Sequence, residues 1–126
     1  MAVASFPGPV VTVVGFKRSD VTSDNEAHVL SNQALPTATM VHVAVVIDDT
    51  NNQMTLYKNG AFESAVAFPD SLSVLNDVNN WLGRSQYATD TGFGGTLHEF
   101  RIYGAALSAT SIQASYAAGT NPAFLN

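Results

Sequence analysis

VHVAVVIDDTNNQMTLYKNGAFESAVAF, residues 41–68, is the stretch whose reading decides the fold. Its opening VHVAVVID is apolar on both parities, as in a strand covered on both faces. The DDTNNQ that follows is rich in side chains that hydrogen-bond their own backbone in turns. MTLYK then alternates, and Asn59-Gly60 is the dipeptide of a type I′ hairpin turn, in which both central residues need φ > 0. The pattern predicts an antiparallel meander, with residues 61–68 folding back on 54–58.

Working outward, residues 10–16 (VVTVVGF) are β-branched and bounded by Pro9 and KRSD, which predicts a strand. A polar, turn-rich stretch follows, and residues 27–30 predict a short return strand before the Pro36 loop. Toward the C-terminus, residues 80–83 (NWLG) and 97–103 (LHEFRIY) predict two more strands. Leu97 and Phe100 have opposite parity there, so a bulge or burial of both faces is expected. Tyr57, Trp81 and Ile102 are expected to meet in one interior. Only residues 108–118 depart from strand chemistry: Ser108 can cap a helix whose Ile112 and Tyr116 share one side. Short strands, frequent turns and almost no helix predict an all-β fold, an antiparallel β-sandwich or jelly roll with one short C-terminal helix.

Composition narrows the function. The 126 residues suit one domain with one core. Charged residues make up 12%, about half the usual share, and the formal charge is −5 with five Lys plus Arg. That leaves no basic footprint for phosphates, so nucleic acid is not an expected partner. Without cysteine there is no disulfide, thiolate metal site or Cys nucleophile. No apolar run is long enough to insert across a membrane, and MAVASFPGPVV does not read as a signal peptide. An exported parent protein is expected to carry its signal outside this sequence.

The segments MVHVAVVIDDTNNQMTLYKNGAFES, NNWLGRSQ and GFGGTLHEFRIYGAALSATSIQASYAAG, in that order, resemble the laminin-G-like, concanavalin A-like jelly-roll domains. The resemblance runs from residue 39 to 119. It implies a concanavalin A-like sandwich and a carbohydrate- or protein-binding module of a larger extracellular or cell-surface protein. Met40 stands where the family usually has Trp, and His98 where it usually has Asp. The stretch before Val10 is short for the opening strands, so a reduced sandwich or a fragment of a larger protein is expected. An uncovered sheet edge would then recruit another chain, and a homo-oligomer through that edge is the expected assembly.

Each candidate site has a structural alternative. A small hydrolase would use His98 as base with Glu99 as its orienting partner, or His42. Neighbours on a strand face opposite sides, so Glu99 is expected to pair with Arg101 or Arg84 instead. His42, in an apolar strand, is expected as a hydrogen-bonded core histidine. Glucanase relatives use E-x-D-x-x-E, and none of Glu26, Glu63 and Glu99 has Asp two residues later. No catalytic residue is assigned on that basis. No cofactor is required. Calcium is an open alternative at Asp48-Asp49 with Asn51-Asn52, or at Asn76-Asp77 with Asp90, although such turns ordinarily form without metal. For glycan binding, Gln86, Tyr87, Asp90 and Phe93 form the candidate platform, an aromatic face beside amide and carboxylate groups. Trp81 is expected in the core. The leading expectation is a noncatalytic module that binds a glycan or a protein surface; the alternatives are the hydrolase and a structural oligomerisation domain.

Overall fold

The computed structural model describes residues 2–4, 11–17, 26–68, 71–74, 80–84, 88–89 and 92–120. Among these, six strands form two three-stranded antiparallel sheets. The first runs β1 (Ala2–Ala4), β2 (Val11–Lys17), β3 (Glu26–Ala34), and the second β4 (Val43–Asp48), β5 (Gln53–Lys58), β6 (Ala61–Ala67). A 3-10 turn at Leu72–Val74 and one helix, α1 (Ala109–Ala118), complete the described elements. The fold is the predicted concanavalin A-like β-sandwich with a short C-terminal helix.

The meander forms where its turn chemistry placed it. Asn59 and Gly60 have φ of 51° and 76°, the pair of positive values a type I′ turn demands. In the DDTNNQ turn, the Asp48 carboxylate accepts the N–H groups of Thr50 and Asn51 at 3.1 and 3.0 Å and the Asn51 amide at 2.7 Å. These bonds hold the Asp48 carboxyl below its usual range, the Asn51 side chain first among them. Asp49 turns outward and accepts from the Ser71 hydroxyl and the Leu72 N–H, which fixes the 3-10 turn.

β5 is the central strand of its sheet and is buried on both parities: Met54 and Leu56 on one face, Thr55 on the other. Met54 and Leu56 join Val29 of β3 and Phe68 in the core, with Ala27, Val45, Ile47 and Val66 packed around them. Each of the large apolar side chains in this cluster contributes about 1.5–3 kcal/mol by leaving water.

The two sheets meet at irregularities. On β6 the pairing passes from Leu56↔Ser64 to Tyr57↔Phe62, so Glu63 is an extra, bulged residue. On β3 it passes from Val11↔Ala34 to Val13↔Leu30, which leaves residues 31–33 outside regular register. The bulges face each other. One Glu63 oxygen accepts from the Ser31 hydroxyl (2.8 Å), the Asn32 N–H (3.0 Å) and the Lys58 ammonium (2.8 Å). The Asn32 amide donates to the Glu63 carbonyl, and the Ser64 hydroxyl to that of Leu30. Lys58, then Ser31, hold the Glu63 carboxyl below its usual range.

Three expectations fail. Residues 80–83 and 97–103 form no strand. Ile102 is 80% exposed while Tyr57 and Trp81 are half-buried, so the three do not share an interior. Leu97 and Phe100 are both exposed, at 53% and 42%, so the segment is neither bulged nor covered on two faces. For Phe100 and Ile102 the reason is that residues 99–107 line a cleft opposite β4 instead of laddering with it. The helix holds as expected: the Ser108 hydroxyl accepts the Ser111 N–H at 3.2 Å, and Ile112 is buried. Tyr116 is 44% exposed, and its side chain lies against the hairpin turn, where a Cβ on Gly60 would meet its Cδ1 at 3.0 Å.

Candidate functional site

Among the described residues β4 ends its sheet, and beside its outer edge lies a cleft of about 500 Å³. One wall is residues 42–47; the other is residues 99–107, with Ile112 and Ser115 of α1 beneath. Ladder geometry fixes which backbone groups face the cleft. The His42 carbonyl accepts the Asn59 N–H at 2.8 Å, so it points toward β5. Antiparallel pairing alternates direction at each residue, so Ala44 and Val46 also bond β5, while Val43, Val45 and Ile47 turn N–H and C=O outward.

Arg101 organises the far wall. Its Nε donates to Glu99 at 2.5 Å, Nη1 to the Ser115 hydroxyl at 3.2 Å and Nη2 to the Gly119 carbonyl at 3.1 Å. The Glu99 bond, then one to Tyr103, push the guanidinium pKa further up. The expected pairing of Glu99 with Arg101 is therefore present, and the tie from Arg101 to the end of α1 is new.

His42 is a partial correction. Asn59 holds its backbone: the Asn59 Oδ1 accepts the His42 N–H at 3.0 Å. The imidazole, however, has a buried Nδ1 without a hydrogen-bond partner, and its ring tilts 50° against Tyr116 at 5.8 Å between centroids. Burial first, and then the Arg101 charge, hold its pKa below the ordinary value, against a smaller opposing effect of Glu99. A hydrolytic site needs the base oriented through its second nitrogen. Here Glu99 and the Ser115 hydroxyl both engage Arg101, and neither orients His42. His98 is exposed and does not line the cleft, so the structure brings His42 and Glu99 together and leaves His98 apart.

Of the candidate glycan platform, Gln86, Tyr87 and Asp90 lie outside the described residues. Phe93 is half-buried; its N–H donates to the Gly83 carbonyl at 2.7 Å, and its ring folds so closely over Gly95 that a Cβ there would lie 2.6 Å away. Trp81 is half-buried under the Arg84 guanidinium, 4.2 Å from the ring centre. Among the described residues, no group of three His, Cys, Asp or Glu side chains could hold a metal ion. At the candidate calcium turn, the Asp48 and Asp49 oxygens already accept turn hydrogen bonds. Asn76 and Asp77 lie outside the described residues. No described helix is long and apolar enough to cross a membrane.

Sequence reasoning missed the Glu63 bulge and the cleft. Glu63's partners in β3 are more than thirty residues away, and only the alternation break in AFESAVA hints at the bulge.

Two antiparallel sheets, a core between them and a helix closing the C-terminal end define a β-sandwich domain of the lectin-like kind. The laminin-G family model described as the concanavalin A-like lectin/glucanases superfamily matches residues 14–113, and the chain belongs to that family. No curated protein matches it. Among solved structures it is similar to an S-layer domain-containing protein from Clostridium thermocellum ATCC 27405, at 21% identity and a TM-score of 0.50. The match covers 85% of this chain and 51% of that one, so the chain spans about half of that structure, and the likeness concerns the fold.

Proposed function

We propose that the chain is a noncatalytic recognition module of an extracellular or cell-surface protein, whose ligand is a glycan or a protein surface. The family and the S-layer domain neighbour support the setting. For the ligand, the carrying observation is the outer edge of β4, where Val43, Val45 and Ile47 present backbone donors and acceptors beside a cleft. That edge favours a protein strand over a sugar, because an added strand satisfies those groups in register. The cleft's charged side chains, Glu99 and Arg101, are engaged with each other and with α1.

The strand we assign to this edge is that of a second copy, giving a homo-oligomer. Sedimentation velocity across a concentration series tests it. A concentration-dependent dimer is expected, and Val45→Pro, which removes an outward N–H, should abolish it while leaving the circular-dichroism spectrum unchanged. A monomer at every concentration would overturn the assembly reading. The glycan reading is tested on a glycan array: binding that survives Tyr87→Ala plus Phe93→Ala unchanged would remove the loop platform.

A further inference from the structure

Asn59-Gly60, the one Asn-Gly pair of the sequence, is a place where a side chain can react with its own backbone. No Cβ shields the Gly60 amide nitrogen, so it can reach the Asn59 side-chain carbon, Cγ, wherever the chain is free to turn. In the fold it is not free. Asn59 is exposed, yet two bonds hold it to the residue before β4: its N–H donates to the His42 carbonyl at 2.8 Å, and its Oδ1 accepts the His42 N–H at 3.0 Å. The turn sets its φ at 51°, with Lys58 and Ala61 paired immediately outside. α1 closes over the second turn residue, where a Cβ on Gly60 would sit 3.0 Å from the Tyr116 ring and 3.3 Å from the Gln113 Cα.

We infer that Asn59 is a site of spontaneous deamidation that the fold holds shut, and that its modification prevents the hairpin from re-forming. Ring closure requires the Asn59 side chain and ψ to rotate together. The first rotation breaks the Oδ1 bond to His42, and the second moves Gly60 from beneath Tyr116. The Gly60 nitrogen then bonds to Cγ, the Cγ–Nδ2 bond breaks, and the side-chain amide leaves as ammonia with the Gly60 proton. Water opens the resulting succinimide at either carbonyl. Opening at Cγ gives aspartate, which keeps an acceptor for the His42 N–H and tolerates positive φ. Opening at the backbone carbonyl gives isoaspartate, which routes the main chain through Cγ and lengthens it by one carbon. A two-residue turn has no slack for that atom, so this product cannot rebuild the hairpin or seat Gly60 under Tyr116. Modification thereby makes an opening of the turn irreversible, and the working life of the domain becomes a rate set by how often the turn opens.

Ageing the intact chain in mildly alkaline buffer, with and without denaturing guanidinium chloride, and mapping the products by mass spectrometry tests the inference. In denaturant Asn59 is expected to lose ammonia before any other asparagine, and in buffer about tenfold or more slowly than in denaturant. Tyr116→Ala, which uncovers Gly60, should speed the reaction in buffer severalfold and leave the rate in denaturant unchanged. The comparison of the unaltered chain in the two solutions needs no variant to fold. After removal of denaturant, amide exchange at Ala61 reads the hairpin: Asn59→Asp should regain protection, and chains carrying isoaspartate should not. Equal rates in the two solutions, or faster loss at another asparagine in denaturant, would overturn the site and its protection by the fold. An unchanged buffer rate in folded Tyr116→Ala would overturn the part assigned to α1, and isoaspartate chains that regain Ala61 protection would overturn the irreversibility.

Discussion

Replacing Glu63 by Ala should loosen the junction between the sheets, and the size of the effect follows from its partners. One carboxylate oxygen accepts three hydrogen bonds, from Ser31, Asn32 and Lys58. The losses are unequal. The Ser31 hydroxyl has one proton and a second acceptor at 2.8 Å, the Gln33 carbonyl, so it finds a partner without Glu63. The Asn32 N–H is exposed and can turn to water. The Lys58 pair is 22% and 14% exposed, and an ion pair that wet gives about 0.5 kcal/mol. Charge-assisted bonds of this kind give about 1.5–3 kcal/mol each when buried, and screening reduces that here, so losing the carboxylate's three bonds should cost about 2 kcal/mol. Glu63→Gln keeps an acceptor for Ser31 and Asn32 and should cost about 1 kcal/mol, and Lys58→Met about 0.5 kcal/mol. Urea unfolding with linear extrapolation measures all three, and the Ala variant should lower Tm by roughly 6–10 °C. A cost below about 0.5 kcal/mol for Glu63→Ala, or equal costs for Glu63→Ala and Lys58→Met, would refute the reasoning. The second result would mean that the ion pair, not the tie to β3, carries the stabilisation.

Gly60→Ala should cost about 1.5–3 kcal/mol, because φ is +76° and the new Cβ meets Tyr116 and the Gln113 backbone; Gly94→Ala, with open space around it, should stay within about 0.5 kcal/mol, both by urea unfolding. Ser108→Ala removes the helix cap and should cost about 1 kcal/mol, with exchange of the Ser111 amide rising first. The His42 contribution should make stability fall as pH drops below the ordinary histidine value of 6.5, because the unfolded chain binds that proton before the folded one, and that contribution should level off below the lower folded-state value. His42→Gln should flatten that part of the urea-midpoint profile against pH. An unchanged slope would show that His42 does not set it.

The meander was legible because its instructions are local. Asn59-Gly60 sets its own backbone angles, and Asp48 bonds the turn that follows it within three residues. Ser108 caps its own helix for the same reason. The segment LHEFRIY carries equally strong strand chemistry, but a strand is completed by a partner, and the sequence does not state how near that partner will stand. It lies opposite β4 without pairing, and Ile102 is exposed instead of buried. For the site, residue types alone brought His42 and Glu99 forward as candidates, and the fold gathers both at one cleft. It left out Arg101 as the organiser, because its reach to Gly119 depends on how α1 returns. Glu63 was visible only as a glutamate without a catalytic neighbour.

The side-chain junction of β3 with β6 differs in kind from the backbone ladders on either side. A ladder resists sliding because every rung must break together, whereas stitches made by Glu63, Asn32 and Ser64 can be lost one at a time. Pulled along the strands, the domain should shear at this seam while the six-rung β4–β5 pairing remains whole. A domain with such a compliant joint would lengthen under load before it unfolds.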